Sequence, residues 1–414
     1  MDKNKLNSLR KNTSPTFCMA KFHEATIWLY SSKIASCHHT PLLPTGNSII
    51  NFYNTREKRQ QQDMMINGSK PAECNYCWKL EEQDLTSDRE LKSLHFRSHL
   101  PAETYFDKTH DFKPKALELA FQNTCNLACA YCSPSFSTEW INDIKKHGVY
   151  ENVSTDIKRH YARGVDNNVP VDLDMFWQWF DHVSNDLESI RITGGEPLLH
   201  EETFKTFEKM LGLNPDIECV IHTNLCQKPV VIQRFIDSVN KLKNIRINVS
   251  NESAGDVAEF IRDGMVYSEW LENVRKLVTN TKARVSISTT ITALSLIGLD
   301  DLYKDIIKLR KKNKVKLPYI AINFATYPAF QSLACLSNEE RIFYLDKYTK
   351  LFKEIKGGLL DNEKTIYHRL LSMLDPALTS SNFNELRKDA DIFFSQYMHR
   401  RNKNIDITKM LGIK

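Results

Sequence analysis

Between residues 113 and 330 the apolar positions switch repeatedly between two periods. Short alternating or β-branched stretches recur at Ala116 to Asn123, Ser189 to Thr193, Glu218 to Thr223, Asn244 to Ser250, Arg284 to Thr290 and Tyr319 to Phe324, a pattern that predicts strands. Between them, Met175 to Val183, Glu201 to Leu211, Val230 to Leu242, Val257 to Val278 and Leu299 to Lys311 carry apolar residues at helical spacing, each able to lay a stripe on a sheet. Strands alternating with helices in this way predict a parallel sheet with crossover helices. Periodicity leaves open whether the sheet is open, doubly wound or curved into a barrel.

The alternation divides the chain into an N-terminal part, 1–112, a core, 113–330, and a helical extension, 331–414. The stretch Ser137 to Leu173 interrupts the core; it is charged, contains Gly148, Gly164 and Pro170, and reads as an insertion with its own short helices. The extension has helical spacing from Glu339 to Phe394 and ends in His399-Arg400-Arg401-Asn402-Lys403, which reads as a solvated helix end or a contact for an acidic substrate.

Composition changes this picture little. At 414 residues and 41% apolar content the chain can bury a large core. No apolar run reaches the roughly 18 residues that span a bilayer, and Met1-Asp2-Lys3-Asn4-Lys5 opens without a signal segment, so a cytoplasmic location with no membrane partner is expected. A formal charge of +5, set against 56 basic and 51 acidic residues, does not indicate nucleic acid. The ten cysteines matter more. Seven fall in two local groups with metal-ligand spacing, which favours thiolate ligation over a disulfide framework.

Directly after the first core strand comes Cys125-Asn-Leu-Ala-Cys129-Ala-Tyr-Cys132. Three thiolates can hold three irons of a cubane, one short of a closed set, and leave an iron open to a small chelating ligand, as a catalytic metal keeps a free position. Structural zinc needs four closed ligands, and no fourth cysteine or near histidine follows. The second core strand ends in Thr193-Gly194-Gly195-Glu196-Pro197, where glycines allow close backbone approach to a ligand and the carboxylate can accept from an ammonium group. Both motifs then fall at the sheet edge where parallel folds bind ligands.

The CxxxCxxC with an aromatic before its last cysteine, followed by GGEP, is similar to the radical S-adenosylmethionine (SAM) superfamily. The resemblance covers roughly residues 113–330. It implies a partial (β/α)6 TIM-like barrel, a [4Fe–4S] cluster on Cys125, Cys129 and Cys132, SAM chelating the open iron, and a reductase such as flavodoxin or ferredoxin as electron donor. It also implies that Tyr131 lies along the adenine. Gly194, Gly195 and Glu196 would receive the methionine amino group, with Pro197 shaping their turn. Ser250 and Glu252 would meet the ribose, and Arg262 the SAM carboxylate. Cys219 and Cys335 read as core residues, while Cys226, just past the third core strand, is a candidate hydrogen-atom donor.

The N-terminal Cys18, Cys37, Cys74 and Cys77 can close a second site. With a predicted hairpin between the first two and an Arg56-bearing helix, preceded by Asn54-Thr55, that runs to Met65, they resemble the auxiliary-cluster module called SPASM, or its shortened form, the twitch. That resemblance implies an auxiliary [4Fe–4S] cluster. Two features depart from it: this module precedes the core, and Cys37-His38-His39 stands where a cysteine pair is expected, making His38 a substitute ligand. A zinc knuckle on four Cys or His ligands is the alternative. In the family such a cluster accompanies modification of a peptide or protein side chain. Radical chemistry on a sugar or nucleotide metabolite is the alternative within the class, and a non-catalytic iron–sulfur electron carrier the alternative outside it.

Overall fold

The computed structural model describes residues 3–41, 43–44, 55–97, 99–162 and 170–403; Met1, Asp2, Asn54 and Gly164 lie outside these. Eleven strands are present among the described residues: β1 (Glu24–Trp28), β2 (Lys33–Ala35), β3 (Leu43–Pro44), β4 (Ala116–Ala120), β5 (Ala128–Cys129), β6 (Ser189–Thr193), β7 (Glu218–Thr223), β8 (Ile245–Ser250), β9 (Arg262–Asp263), β10 (Arg284–Ile291) and β11 (Tyr319–Phe324). Nine form one sheet in the order β11-β10-β8-β7-β6-β4-β1-β2-β3. The six core strands follow one another in chain order and in parallel, as a partial (β/α)6 barrel requires. The N-terminal β1 adds in parallel to β4 and turns back through an antiparallel hairpin with β2, so the N-terminal part extends the core sheet.

The two faces of this sheet differ completely. Ile27, Leu119, Ile192, Ile221, Ile247 and Val285 lie abreast in register and each is 0% exposed. At roughly 1.5–3 kcal/mol for burying each such side chain, this row clamps the helices to the outer face. One residue along, the opposite face presents Thr26, Glu118, Arg191, Val220, Arg246 and Arg284 abreast. That polar face is the concave wall. A register slip of one residue would exchange the two sets.

The helix expected over Val257 to Val278 is two helices, Gly255–Ile261 and Tyr267–Asn280, separated by β9. Arg262 and Asp263 leave the helix to pair with Cys129 and Ala128, and Gly264 turns the chain at φ +98°. Helical spacing across the break conceals this tertiary pairing. The insertion contains the expected short helices, Thr138–His147 and Thr155–Ala162, and the C-terminal extension folds as Asn338–Ile355, Asp361–Met373 and Phe383–Arg400. No helix among the described residues is long and apolar enough to cross a membrane.

Candidate functional site

The cysteine loop leaves the carboxyl end of β4 and is held from every side. Its carbonyls are taken by side chains from distant segments: Leu127 O by Ser137 Oγ at 2.7 Å, Ala128 O by Tyr397 Oη at 2.9 Å, and Cys129 O by Trp140 Nε1 at 2.9 Å. Ala130 O receives Tyr161 Oη at 2.6 Å and Gln331 Nε2 at 2.8 Å, and Cys132 O faces His160 Nε2 at 3.2 Å. Ser137 Oγ also caps the helix behind the loop by accepting from Trp140 N. Such a shell fixes the ligand loop before anything binds. None of Trp140, Tyr161, Gln331 or Tyr397 carries a sequence signal, because each acts through a contact more than ten residues away.

Within this frame Cys125, Cys129 and Cys132 are brought together. Burial pushes all three thiols up, Cys132 to about 12 with Cys129 adding to it, and Cys129 to about 11 although Arg262 pulls it down. Buried thiols in this state need a bound cation to become ligand thiolates, which suits a metal or cluster donor set. All ten cysteines are free of disulfides.

Tyr131, Glu252 and Arg262, separate in the sequence, form one buried network. Arg262 donates Nε and Nη2 to the two oxygens of Glu252, each at 2.7 Å, and Nη2 also to Tyr131 Oη at 2.7 Å. Tyr131 Oη donates to Glu252 Oε1 at 2.9 Å. Ser250 ends β8 half-buried. Beside it Asn251, fully buried, has an Nδ2 donor with no partner among the described residues. A buried orphan donor at the carboxyl end of a parallel strand is a place for a ligand acceptor, and the sequence reading passed over it.

The GGEP turn serves the chain itself. Glu196 is 1% exposed, and its carboxylate accepts from Leu198 N at 3.0 Å, Thr223 Oγ1 at 2.6 Å and Asn224 N at 2.6 Å, stapling the ends of β6 and β7. Burial raises its carboxyl to about 7 despite these donors. A Cβ on Gly194 would lie 2.6 Å from Gln122 O, and one on Gly195 2.2 Å from Thr124 O. The glycines thus admit the backbone that leads into Cys125. Pro197 starts a single buried 3-10 turn. Cys226 sits past β7 with Sγ donating to Asn224 O at 3.3 Å, and Asn224 Nδ2 points to Cys125 Sγ at 3.8 Å. Cys219 and Cys335 are core residues at 0% and 2% exposure.

The N-terminal cysteines also converge. Cys18, Cys37, Cys74 and Cys77 line one small cavity, together with His39, Asp88, Arg89 and Lys92. Two lysines are buried at its edge: Lys58, whose Nζ donates to Ser36 Oγ at 2.7 Å, and Lys21, paired with Glu73. Lys21 has its anionic partner in Glu73, and burial pushes the Lys58 amine well below the usual lysine range. His38 does not line this cavity but contacts two residues that do: its Nε2 is 3.3 Å from Asp88 and its Nδ1 3.2 Å from Lys92 Nζ.

Against the polar wall of the sheet lies a cavity of about 280 Å³. It opens at the amino-terminal halves of the strands, away from the cysteine loop, and shares Asp88 and Lys92 with the four-cysteine site. Its cations are paired: Lys92 with Glu24 at 2.6 Å, Arg191 with Glu118 at 3.4 Å, and Arg246 with Glu218 at 3.2 Å. In the C-terminal basic cluster His399 and Asn402 are exposed, while its arginines and lysine are paired, and none of its residues lines this cavity. Arg400 and Arg401 are paired with Asp143 and Lys403 with Asp263, so these charges tie the last helix to the cysteine-loop side of the molecule.

Residues 119–312 match the model of the Radical SAM superfamily. The GTP 3',8-cyclase of Sulfurovum sp. (strain NBC37-1) is 26% identical over 188 residues, 45% of this chain and 47% of that protein. The GTP 3',8-cyclase of Sulfurimonas denitrificans (strain ATCC 33889 / DSM 1251) is 27% identical over 166 residues, 39% of this chain and 43% of that protein. The chain therefore spans about half the length of the curated relatives it matches. Among solved structures, Streptococcus suis SuiB bound to precursor peptide SuiA is similar at TM-score 0.37 and 12% identity, over 68% of this chain and 60% of that one. SuiB bound to S-adenosylmethionine gives TM-score 0.34 and 12% identity, over 83% and 69%.

Proposed function

Because the chain belongs to the radical SAM superfamily through residues 119–312, we propose that it is an enzyme that cleaves SAM reductively and removes hydrogen from a peptide or protein side chain. The observation that carries the radical chemistry is the convergence of Cys125, Cys129 and Cys132 beside the Tyr131–Glu252–Arg262 network and the unpaired Asn251 amide. A [4Fe–4S] cluster on the three thiolates, with SAM on its open iron, would supply an electron and a 5′-deoxyadenosyl radical. The protein's own part is to hold the thiols in place, orient the ligand and shield the site from water. We propose Cys226, past β7, as a candidate hydrogen-atom donor.

For the N-terminal site the reading is an auxiliary [4Fe–4S] cluster in a SPASM- or twitch-like setting on Cys18, Cys37, Cys74 and Cys77. Support for this reading is that the four cysteines line one cavity, and four thiolates can close a cluster completely.

The peptide reading is supported by the likeness of the four-cysteine part to an auxiliary-cluster module, since those cysteines line one cavity. The matched relatives named GTP 3',8-cyclase keep the nucleotide reading open as a competing outcome.

The test is anaerobic. Wild type and a Cys125, Cys129 and Cys132 triple alanine variant are reconstituted, iron is counted, and 5′-deoxyadenosine is measured after SAM and dithionite. Nucleoside from wild type alone, with about one cluster's iron left in the variant, supports both sites. No nucleoside from wild type would sink the radical reading and favour a non-catalytic iron–sulfur protein. Turnover of GTP by wild type would overturn the peptide assignment.

A further inference from the structure

Arg262 lies directly across from Cys129 in the β5–β9 ribbon, where Ala130 N donates to Ile261 O at 2.7 Å. Gly264 lets the returning chain lie so close that a Cβ there would stand 2.9 Å from Asn126 O. The backbone thus fixes the guanidinium beside one thiol of the cysteine loop. The side chains of Arg262 and Glu252 are 5% and 1% exposed, and their bidentate pairing keeps the planar guanidinium from swinging away. With Nε and Nη2 spent on Glu252 and Tyr131, Nη1 meets Cys129 Sγ at 3.5 Å. That sulfur, a thiol here, stands for the thiolate that would bind iron.

We infer that Arg262 is a positioning residue that raises the reduction potential of the site formed by Cys125, Cys129 and Cys132, through an N–H donated to the Cys129 sulfur. The inference rests on the proposed cluster. One electron added at this site brings one more negative charge, and a buried cation hydrogen-bonded to a ligand sulfur stabilises the reduced form more than the oxidised one. Glu252 and Tyr131 act through Arg262 by holding its orientation. This differs from a role limited to binding the SAM carboxylate, which would change SAM affinity and leave the potential measured without SAM where it was.

The experiment is an EPR-monitored redox titration of reconstituted protein without SAM, on wild type, Arg262→Lys and Arg262→Gln. The Cys125, Cys129 and Cys132 triple alanine variant identifies which signal belongs to this site. Arg262→Gln is expected to hold wild-type iron and to show at least a tenfold lower ratio of reduced to oxidised cluster at a fixed potential, a drop of about 59 mV for a one-electron couple. Arg262→Lys, which keeps the charge, should fall between the two. Equal midpoints in wild type and Arg262→Gln at equal iron would overturn the inference. Should Arg262→Gln fail to load iron, wild type carrying ¹⁵N-labelled arginine decides. Hyperfine coupling of an arginine nitrogen to the reduced cluster supports the N–H···S bond, and its absence overturns it. If the triple alanine variant loses neither iron nor signal, the cluster reading itself has failed, and that outcome is separate from an unshifted potential.

Discussion

Gly195→Ala is the most direct probe of how the turn after β6 serves the cysteine loop. The added Cβ would stand 2.2 Å from Thr124 O and 2.6 Å from Asn123 C, where a carbon and a carbonyl oxygen normally keep about 3.3 Å apart. The obstacle is backbone, so about 1 Å of main-chain movement is needed immediately before Cys125. Overpacking of this kind costs about 1–3 kcal/mol, and the displaced carbonyl also accepts Glu196 N at 2.8 Å, worth about 0.5–1.5 kcal/mol. A total of about 2–4 kcal/mol should lower Tm by about 4–8 °C at roughly 2 °C per kcal/mol for a large domain. Iron bound per chain after reconstitution should fall with it. Gly212→Ala is the control, since its nearest neighbour, Lys209 O, lies at an ordinary 3.6 Å. Wild-type melting and wild-type iron in Gly195→Ala would refute the reasoning, because the loop would then yield without cost.

Three further outcomes follow from buried groups elsewhere. Burial holds His23 neutral down to about 4, against an ordinary 6.5; its stability is fully present above pH 6.5 and lost as pH falls toward 4, by about 3 kcal/mol at the limit. Urea melts of His23→Gln should be flatter across that window, and an unchanged slope would refute the assignment. Glu363, 0% exposed, pairs with Arg310 and accepts Ile320 N at 2.6 Å; Glu363→Ala should cost about 3–5 kcal/mol by stranding a buried cation, read by chemical denaturation. Tyr397→Phe removes the donor to Ala128 O and its longer contact to Phe260 O at 3.4 Å, so about 1 kcal/mol of stability should go, while an iron chelator should bleach the protein faster than wild type; equal bleaching rates would show that the last helix does not steady the loop.

The sheet was legible in the sequence because its strands repeat one signal. Ser189–Thr193, Glu218–Thr223 and Tyr319–Phe324 form with the bounds that alternation predicts, since Ile190 and Ile192, Cys219 and Ile221, and Ile320 and Ile322 are buried on one face of their strands and fix the register. The CxxxCxxC group was legible for a similar reason, its spacing being local. What the sequence concealed depends on contacts between distant segments. The helix expected through Arg262 breaks because that residue is needed opposite Cys129. The basic run at Arg400 and Arg401 is paired with Asp143, an aspartate more than 250 positions earlier, and no local rule reports such a partner. The glycines of GGEP leave room for close approach, and on one side the chain's own backbone at Gln122 and Thr124 fills that room.

The polar wall constrains what can lie on it. Its cavity touches the four-cysteine site through Asp88 and Lys92 and opens at the amino-terminal halves of the strands, away from the cysteine loop. A triphosphate placed there would set several negative charges against a lining whose carboxylates outnumber its cations. At about 6 Å and an effective dielectric of about 20, each unit of that repulsion is worth about 3 kcal/mol, and Lys92, Arg191 and Arg246 would have to abandon Glu24, Glu118 and Glu218 to offset it. An extended peptide avoids both costs. Its amides add no charge, and a basic side chain would find Glu118, whose contacts to Arg191 and Thr193 are both long at 3.4 Å, the most available carboxylate on the wall.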